Sequence, residues 1–183
     1  GIKQSFWQGR GDWTLAAYTI TKNHLLTRDP ANPALRIQVG ERSSKGLEGT
    51  LSLQASRTLQ IDANVALLRA RYDDFSESAG GVLVSRNGKV PTDVPERVAH
   101  VWVGWKLQPD WTLSGGLRHV GKRYADNANA LKLPAYTTAD LALQWKAGAD
   151  TTLTLRGFNV FDKRFYTTAY YTTTQWFVGE GRR

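Results

Sequence analysis

Two stretches in the second half of the chain concentrate side chains able to grip a small molecule. Residues 165–176 bring Phe165, Tyr166, Tyr170, Tyr171 and Trp176 together with Thr167, Thr168 and Thr172 to Thr174. Aromatic faces stack on flat or chelate-like ligands, and phenols and hydroxyls donate hydrogen bonds at low entropic cost. Arg123 and Tyr124, in the run GKRYADN, add a cation and a phenol suited to an anionic ligand. The alternative for residues 165–176 is an amphipathic strand extension packed on its neighbours.

Other chemistry has little to stand on. No cysteine occurs, and His24, His100 and His119 are scattered, so no cofactor is expected and any metal must arrive already chelated. Nothing resembles a nucleophile elbow, and Asp73-Asp74 sits among turn formers as a solvated bend, so an enzyme is not expected. Lys and Arg number 24 against 16 Asp and Glu, a net charge of +8. That balance suits anionic lipid headgroups, an anionic small ligand or nucleic acid. Without a basic recognition helix, nucleic acid is the weakest of the three and is not expected as a partner.

The elements that must hold these residues are strands. In 136–146, Thr137, Ala139, Leu141, Leu143 and Trp145 oppose Thr138, Asp140, Gln144 and Lys146. Residues 151–161, 47–55, 59–69, 99–107 and 111–118 alternate in the same way, which marks sheets with one apolar and one wet face. Residues 1–8 and 13–22 read as two more strands, with Trp13, Leu15 and Ala17 on one face but Tyr18 and Ile20 on the other. A small hairpin about Asn87-Gly88 is expected within the connection 73–97.

The connections alternate: short at 9–12, 56–58, 108–110 and 147–150, long at 23–46, 73–97, 121–135 and after 161. In an up-and-down meander this puts tight turns on one rim and long loops on the other, as in outer-membrane barrels. Strands of about nine to eleven residues span a bilayer when tilted. Trp105, Trp111 and Trp145 lie on the apolar face near the tight rim, where indoles form interfacial girdles. No run of about 18 to 20 apolar residues offers a spanning helix. The mean hydropathy of −0.42 leaves a barrel open, because a barrel hides its apolar half at every second residue. A soluble β-sandwich is the competing architecture.

Several motifs then fall into order: SKGLEG at 44–49, Val94-Pro95 before a Trp-containing strand, GKRYADN at 121–127, LPAY at 133–136 followed by Asp140, NVFDKRF at 159–165 and GEGRR at 179–183. In this order the chain resembles the C-terminal barrel of TonB-dependent outer-membrane receptors of the ferric-siderophore type. The resemblance implies an all-β, antiparallel up-and-down transmembrane β-barrel segment spanning residues 1–183. It would be about eight strands of a barrel of about 22, with the plug domain, the energy-coupling motif and the last strand outside this chain. It further implies a Gram-negative outer membrane, ferric siderophore as ligand with iron arriving as a chelate, and the TonB–ExbB–ExbD complex as energy source. Outer-membrane lipid and lipopolysaccharide would surround the wall. On the inward face Glu48, Asp62, Arg118, Asp140 and Arg156 would form ion pairs within the wall or with the plug. A passive porin, or a receptor for cobalamin or a glycan, stays open as an alternative.

Overall fold

The computed structural model describes residues 1–24, 26–28, 36–38, 40–170 and 175–183, with the backbone alone at 26–28, 36–38 and 170. One antiparallel sheet of eight strands organises them, sequential neighbours lying side by side throughout. The strands are β1 (Ile2–Phe6), β2 (Gly11–Asn23), β3 (Glu41–Gln54), β4 (Leu59–Asp74), β5 (Arg97–Gln108), β6 (Trp111–Val120), β7 (Tyr136–Lys146) and β8 (Thr152–Gly157). Small hairpins occupy the long connections: Leu26–Arg28 with Arg36–Gln38, Ser76–Ala79 with Val82–Ser85, Arg123–Tyr124 with Lys132–Leu133, and Tyr166–Tyr170 with Gln175–Val178.

The tight connections 7–10, 55–58, 109–110 and 147–151 share one rim. Backbone bonds cross-link them: Gln54 N–H to Arg10 O at 2.7 Å, Lys106 N–H to Thr58 O at 2.8 Å, and Lys146 N–H to Asp110 O at 2.9 Å. The Arg10 guanidinium adds bonds to the carbonyls of Gln54 and Ala55. Long connections at 24–40, 75–96, 121–135 and beyond 157 gather at the opposite rim.

Register sorts the side chains by face. One row of cross-strand partners runs Trp13, Leu51, Ala63, Val101, Leu117 and Ala139; the next, nearer the tight rim, holds Leu53, Ile61, Val103, Gly115 and Leu141. The opposite face interleaves Asp12, Ser52, Asp62, Trp102, Gly116 and Asp140. Tyr18 and Ile20 fall on this polar face, opposite Gly46 and Ser44. Among the described residues no second layer covers the apolar face, and Leu15, Leu67, Leu117 and Leu141 stay about half exposed, with Leu155 at 74%. A soluble sandwich buries that face, and a contiguous uncovered one marks a contact with lipid or partner. Trp111 and Trp145 are direct partners whose rings stack at 5.5 Å near the tight rim, and Trp105 stands two strands along, 52% exposed.

Four expectations need correction. Strands β3 and β4 run on to Glu41 and Asp74, because polar residues keep the backbone ladder going after the apolar alternation stops. Strand β8 ends at Gly157 instead of continuing to 161, since Asn159 takes a positive φ of 46° that no strand accommodates. The hairpin in 75–96 turns at Gly80-Gly81, where φ is 61° and 81°, the conformation a two-residue hairpin loop requires. Asn87-Gly88 instead folds the segment back, Gly88 N–H bonding Tyr72 O and Asn87 Oδ1 accepting from Phe75 N–H. Finally, the ion pairs expected within the wall are not found: among the described residues Glu48, Asp62, Arg118, Asp140 and Arg156 form none with one another, which leaves pairing with a plug as the other half of that expectation. Asp62 is held by Ser52 Oγ at 2.7 Å, and Asp140 accepts from the backbone N–H of Asn159. The turn signals at Asp29-Pro30 and Asn32-Pro33 lie outside the described residues.

Aromatic rings on the polar face cover glycines directly opposite: Tyr18 over Gly46 and Trp102 over Gly116. Such pairing restores the packing that a strand glycine lacks. A Cβ at Gly116 would sit 2.2 Å from a Trp102 ring carbon and 2.7 Å from the Val101 carbonyl oxygen. Gly116→Ala is therefore expected to destabilise the sheet by about 1–3 kcal/mol, read as a lowered unfolding temperature in detergent. Gly148→Ala, in open space at the tight rim, should leave that temperature unchanged.

Candidate functional site

At the long-loop rim three connections are tied into one body. Tyr72 Oη, on β4, donates to Asn127 Oδ1 at 2.8 Å, and Asn127 Nδ2 donates to Glu77 Oε2 at 2.7 Å. Glu77 in turn pairs with Arg86 at 2.8 Å. Asn129 completes the join of 75–96 to 121–135: its amide accepts from Val90 N–H at 2.8 Å and donates to Val90 O at 2.7 Å. Its positive φ of 60° aims the side chain there, and amide-bearing residues adopt that conformation most readily. Asp126 caps its own loop by accepting from Ala130 and Leu131 N–H.

The segment after 157 docks on both. Arg123 Nη2 donates to Tyr166 O at 2.6 Å, and Thr168 Oγ1 donates to Asp93 Oδ2 at 2.6 Å. Tyr136 and Phe165 stack at 4.1 Å, with the Arg123 guanidinium 5.8 Å above the Tyr136 ring. Leu133, Tyr136 and Pro91 are buried here, so the compact core of the chain lies under the loops and not within the wall. The corner itself is Asn159, 5% exposed: its N–H bonds Asp140, its Nδ2 bonds the carbonyls of Lys163 and Glu180, and its Oδ1 accepts from Lys163 N–H. Asp162 accepts from Arg182 N–H, drawing residues 179–183 alongside, where Phe158 and Arg183 exchange backbone bonds.

A single sheet with an uncovered apolar face and loops locked at one rim agrees with the comparisons. Residues 1–160 match the family model described as TonB dependent receptor-like, beta-barrel. The chain belongs to the TonB-dependent receptor family. The metal-pseudopaline receptor of Pseudomonas aeruginosa is 28% identical over 175 residues, and the ferrioxamine receptor of Yersinia enterocolitica 28% over 179. Each alignment covers 93% of this chain and 24% of the relative, so the chain spans about a quarter of the length of the curated relatives it matches. The crystal structure of the siderophore receptor PiuA from Acinetobacter baumannii superimposes with a TM-score of 0.84 at 26% identity, over 98% of this chain and 26% of that one. The eight strands are thus a TonB-dependent receptor barrel segment of the Gram-negative outer membrane.

Within this receptor segment the residues singled out for ligand contact occupy different depths. Arg123 is 8% exposed, with Nε lacking a partner, and braces the loops from behind. Phe165 packs between Tyr136 and Gly179. Tyr166 is 37% exposed and meets the ring of the half-buried Trp176 edge-on at 4.7 Å; Tyr124 is half-buried beside Arg123. Tyr170 ends its strand, and Tyr171 lies outside the described residues. The stabilising set of Tyr72, Glu77, Asp93, Asn127 and Asn129 escaped the sequence reading, although Asp126, Asn127 and Asn129 within five residues of one another signal Asx-type loop closure.

Asn129→Gly keeps the backbone conformation and removes both bonds to Val90. Each lost hydrogen bond is worth about 1 kcal/mol, so exchange of the Val90 amide hydrogen should rise about tenfold or more. Exchange at Leu117 in the wall should not change.

Proposed function

We propose that this chain is the C-terminal part of the barrel of a receptor for energy-coupled uptake of ferric siderophore, driven by the TonB–ExbB–ExbD complex. The observation that carries it is the union of a lipid-facing wall with aromatic loops fixed at the extracellular rim. Relatives named for metal-pseudopaline and ferrioxamine support a chelated metal as cargo. Iron then enters held by its own chelator. The plug that such a receptor needs, and the rest of a barrel of about 22 strands, would be supplied outside residues 1–183. The relatives are transport receptors.

In this reading Tyr166, Trp176 and Tyr124 meet the chelate, while Arg123 and Phe165 set the shape of the mouth. A strain lacking the receptor gene, grown on single ferric chelates as iron source, should fail on one chelate class and recover with the gene restored. Undiminished growth on every chelate would sink the proposal, as would steady conductance of the receptor in planar bilayers, the mark of a passive pore. Tyr166→Ala keeps the carbonyl that Arg123 uses, so it should weaken chelate binding about tenfold without loosening the loops. Equilibrium binding to the purified receptor checks this.

A further inference from the structure

The polar face of the sheet divides its charges by strand. Below Lys22 and Arg42 at the loop rim, β2, β3 and β4 carry Asp12, Glu48 and Asp62 on it, and each acid already has a neutral donor. Ser5 Oγ bonds Asp12, the Tyr18 hydroxyl bonds Glu48, and Ser52 Oγ bonds Asp62. On β5 to β8 the same face carries Lys106, Arg118, Lys146 and Arg156, and its one acid, Asp140, is engaged by the Asn159 N–H. These four cations are exposed and, among the described residues, enter no ion pair. The register sets them as steps toward the tight rim: Arg118 opposite His100, Arg156 opposite Ala142 two rows on, then Lys106 opposite Thr112 and Lys146 opposite Thr152. Successive rows lie about 7 Å apart along a strand, within reach of such long side chains. Between the cations Gly104, Ser114, Gly116 and Ala142 leave a floor of small residues, with the half-buried Trp102 ring over Gly116 and stacked beside His100 at 6.3 Å. At the tight rim a depression of about 180 Å³, lined by Lys106, Thr112, Gln144 and Lys146 among others, ends the series.

In the proposed receptor this face lines the lumen. Its acids are occupied by their donors, and the charges left open are all of one sign. A low wall of small residues edged by such charges draws in ions of opposite sign and raises their local concentration. We propose that the polar face of β5 to β8, with Arg118, Arg156, Lys106 and Lys146 as successive contacts, is the path by which an anionic ferric chelate travels from the mouth to the tight rim. The path rests on the receptor reading and adds to it the charge of the cargo. Trp102, on the floor of the path, offers a flat ring to the chelate between the first two steps.

The test uses the whole receptor that contains this segment, restored to a strain lacking its gene, with radioactive iron held by a tricatecholate, a carboxylate or a neutral trihydroxamate chelator. Wild-type receptor should import at least one of the two anionic complexes. The quadruple variant Lys106→Gln, Arg118→Gln, Lys146→Gln, Arg156→Gln should bind that complex as tightly at the cell surface yet import it about tenfold more slowly, the low end of what a cleft lined by one sign of charge contributes. Exchanging each cation for the other kind, Lys106→Arg, Arg118→Lys, Lys146→Arg and Arg156→Lys, should restore the wild-type rate. Import of the trihydroxamate complex alone, an unchanged rate in the quadruple variant, or weakened surface binding by it would overturn the path and leave the receptor reading in place. Steady conductance of the quadruple variant in planar bilayers, absent from wild type, would overturn it too, because the cations would then be holding a plug. Import of none of the three complexes would remove the receptor reading and the path with it.

Discussion

Hydrocarbon offers no hydrogen bond, so each peptide group that crosses it must be paired by a neighbouring strand. Strands β2 to β7 have such a neighbour on both sides, and this pairing fixes everything else in the wall. Strict antiparallel order follows from it, as does a register that holds along the strands of the eight-stranded sheet and shifts at two strand ends, between Trp111 and Thr112 and between Glu41 and Arg42. Once the backbone is satisfied by neighbours, side chains are released from building a core. Leu67, Leu117 and Leu141 can then stay exposed on the apolar face, as the wall of an outer-membrane barrel allows.

The two rims solve different problems. At the tight rim backbone closes on backbone, as between Arg10 and Gln54 or Asp110 and Lys146. Long loops cannot be fixed that way and have little apolar surface to bury, so side chains take over the pairing. Asp93, Asn129, Asn159 and Asp162 all adopt positive φ, and each accepts a hydrogen bond on its side-chain oxygen. These carboxylates and amides do for the loops what the ladder does for the strands. The small core around Leu133, Pro91 and Tyr136 adds hydrophobic anchorage only where three segments converge.

This division explains what could be read in the sequence. Period-two alternation reports a face directly, so β7 was placed from Tyr136 to Lys146 without error and the Trp pair 111 and 145 fell where a girdle requires. Polar extensions of β3 and β4 carry no such alternation, and their pairing to Asp74 became visible only in register. Arg123 reads in sequence as a cation beside a phenol, whereas burial and its bond to Tyr166 O depend on a segment some forty residues away. Glu48, Arg118 and Arg156 look like partners by charge, and only cross-strand register shows them to be too far apart.

The run NVFDKRF illustrates how a motif can be specified by the corner it builds. Asn159 bonds to four backbone groups or carboxylates drawn from β7, its own corner and residues 179–183, a set that no other side chain of its size can satisfy at positive φ. Replacement would leave several buried groups unpaired at once, each at a cost of about 1–3 kcal/mol. Residues 165–169 hang from this corner and are steadied by Arg123 and Asp93, so an exposed side chain such as Tyr166 can change without disturbing the bonds that hold them. In the proposed receptor, selectivity for a ligand would be carried by the exposed side chains of this segment and the shape of the mouth by the bonded ones, and only the second are constrained by the fold.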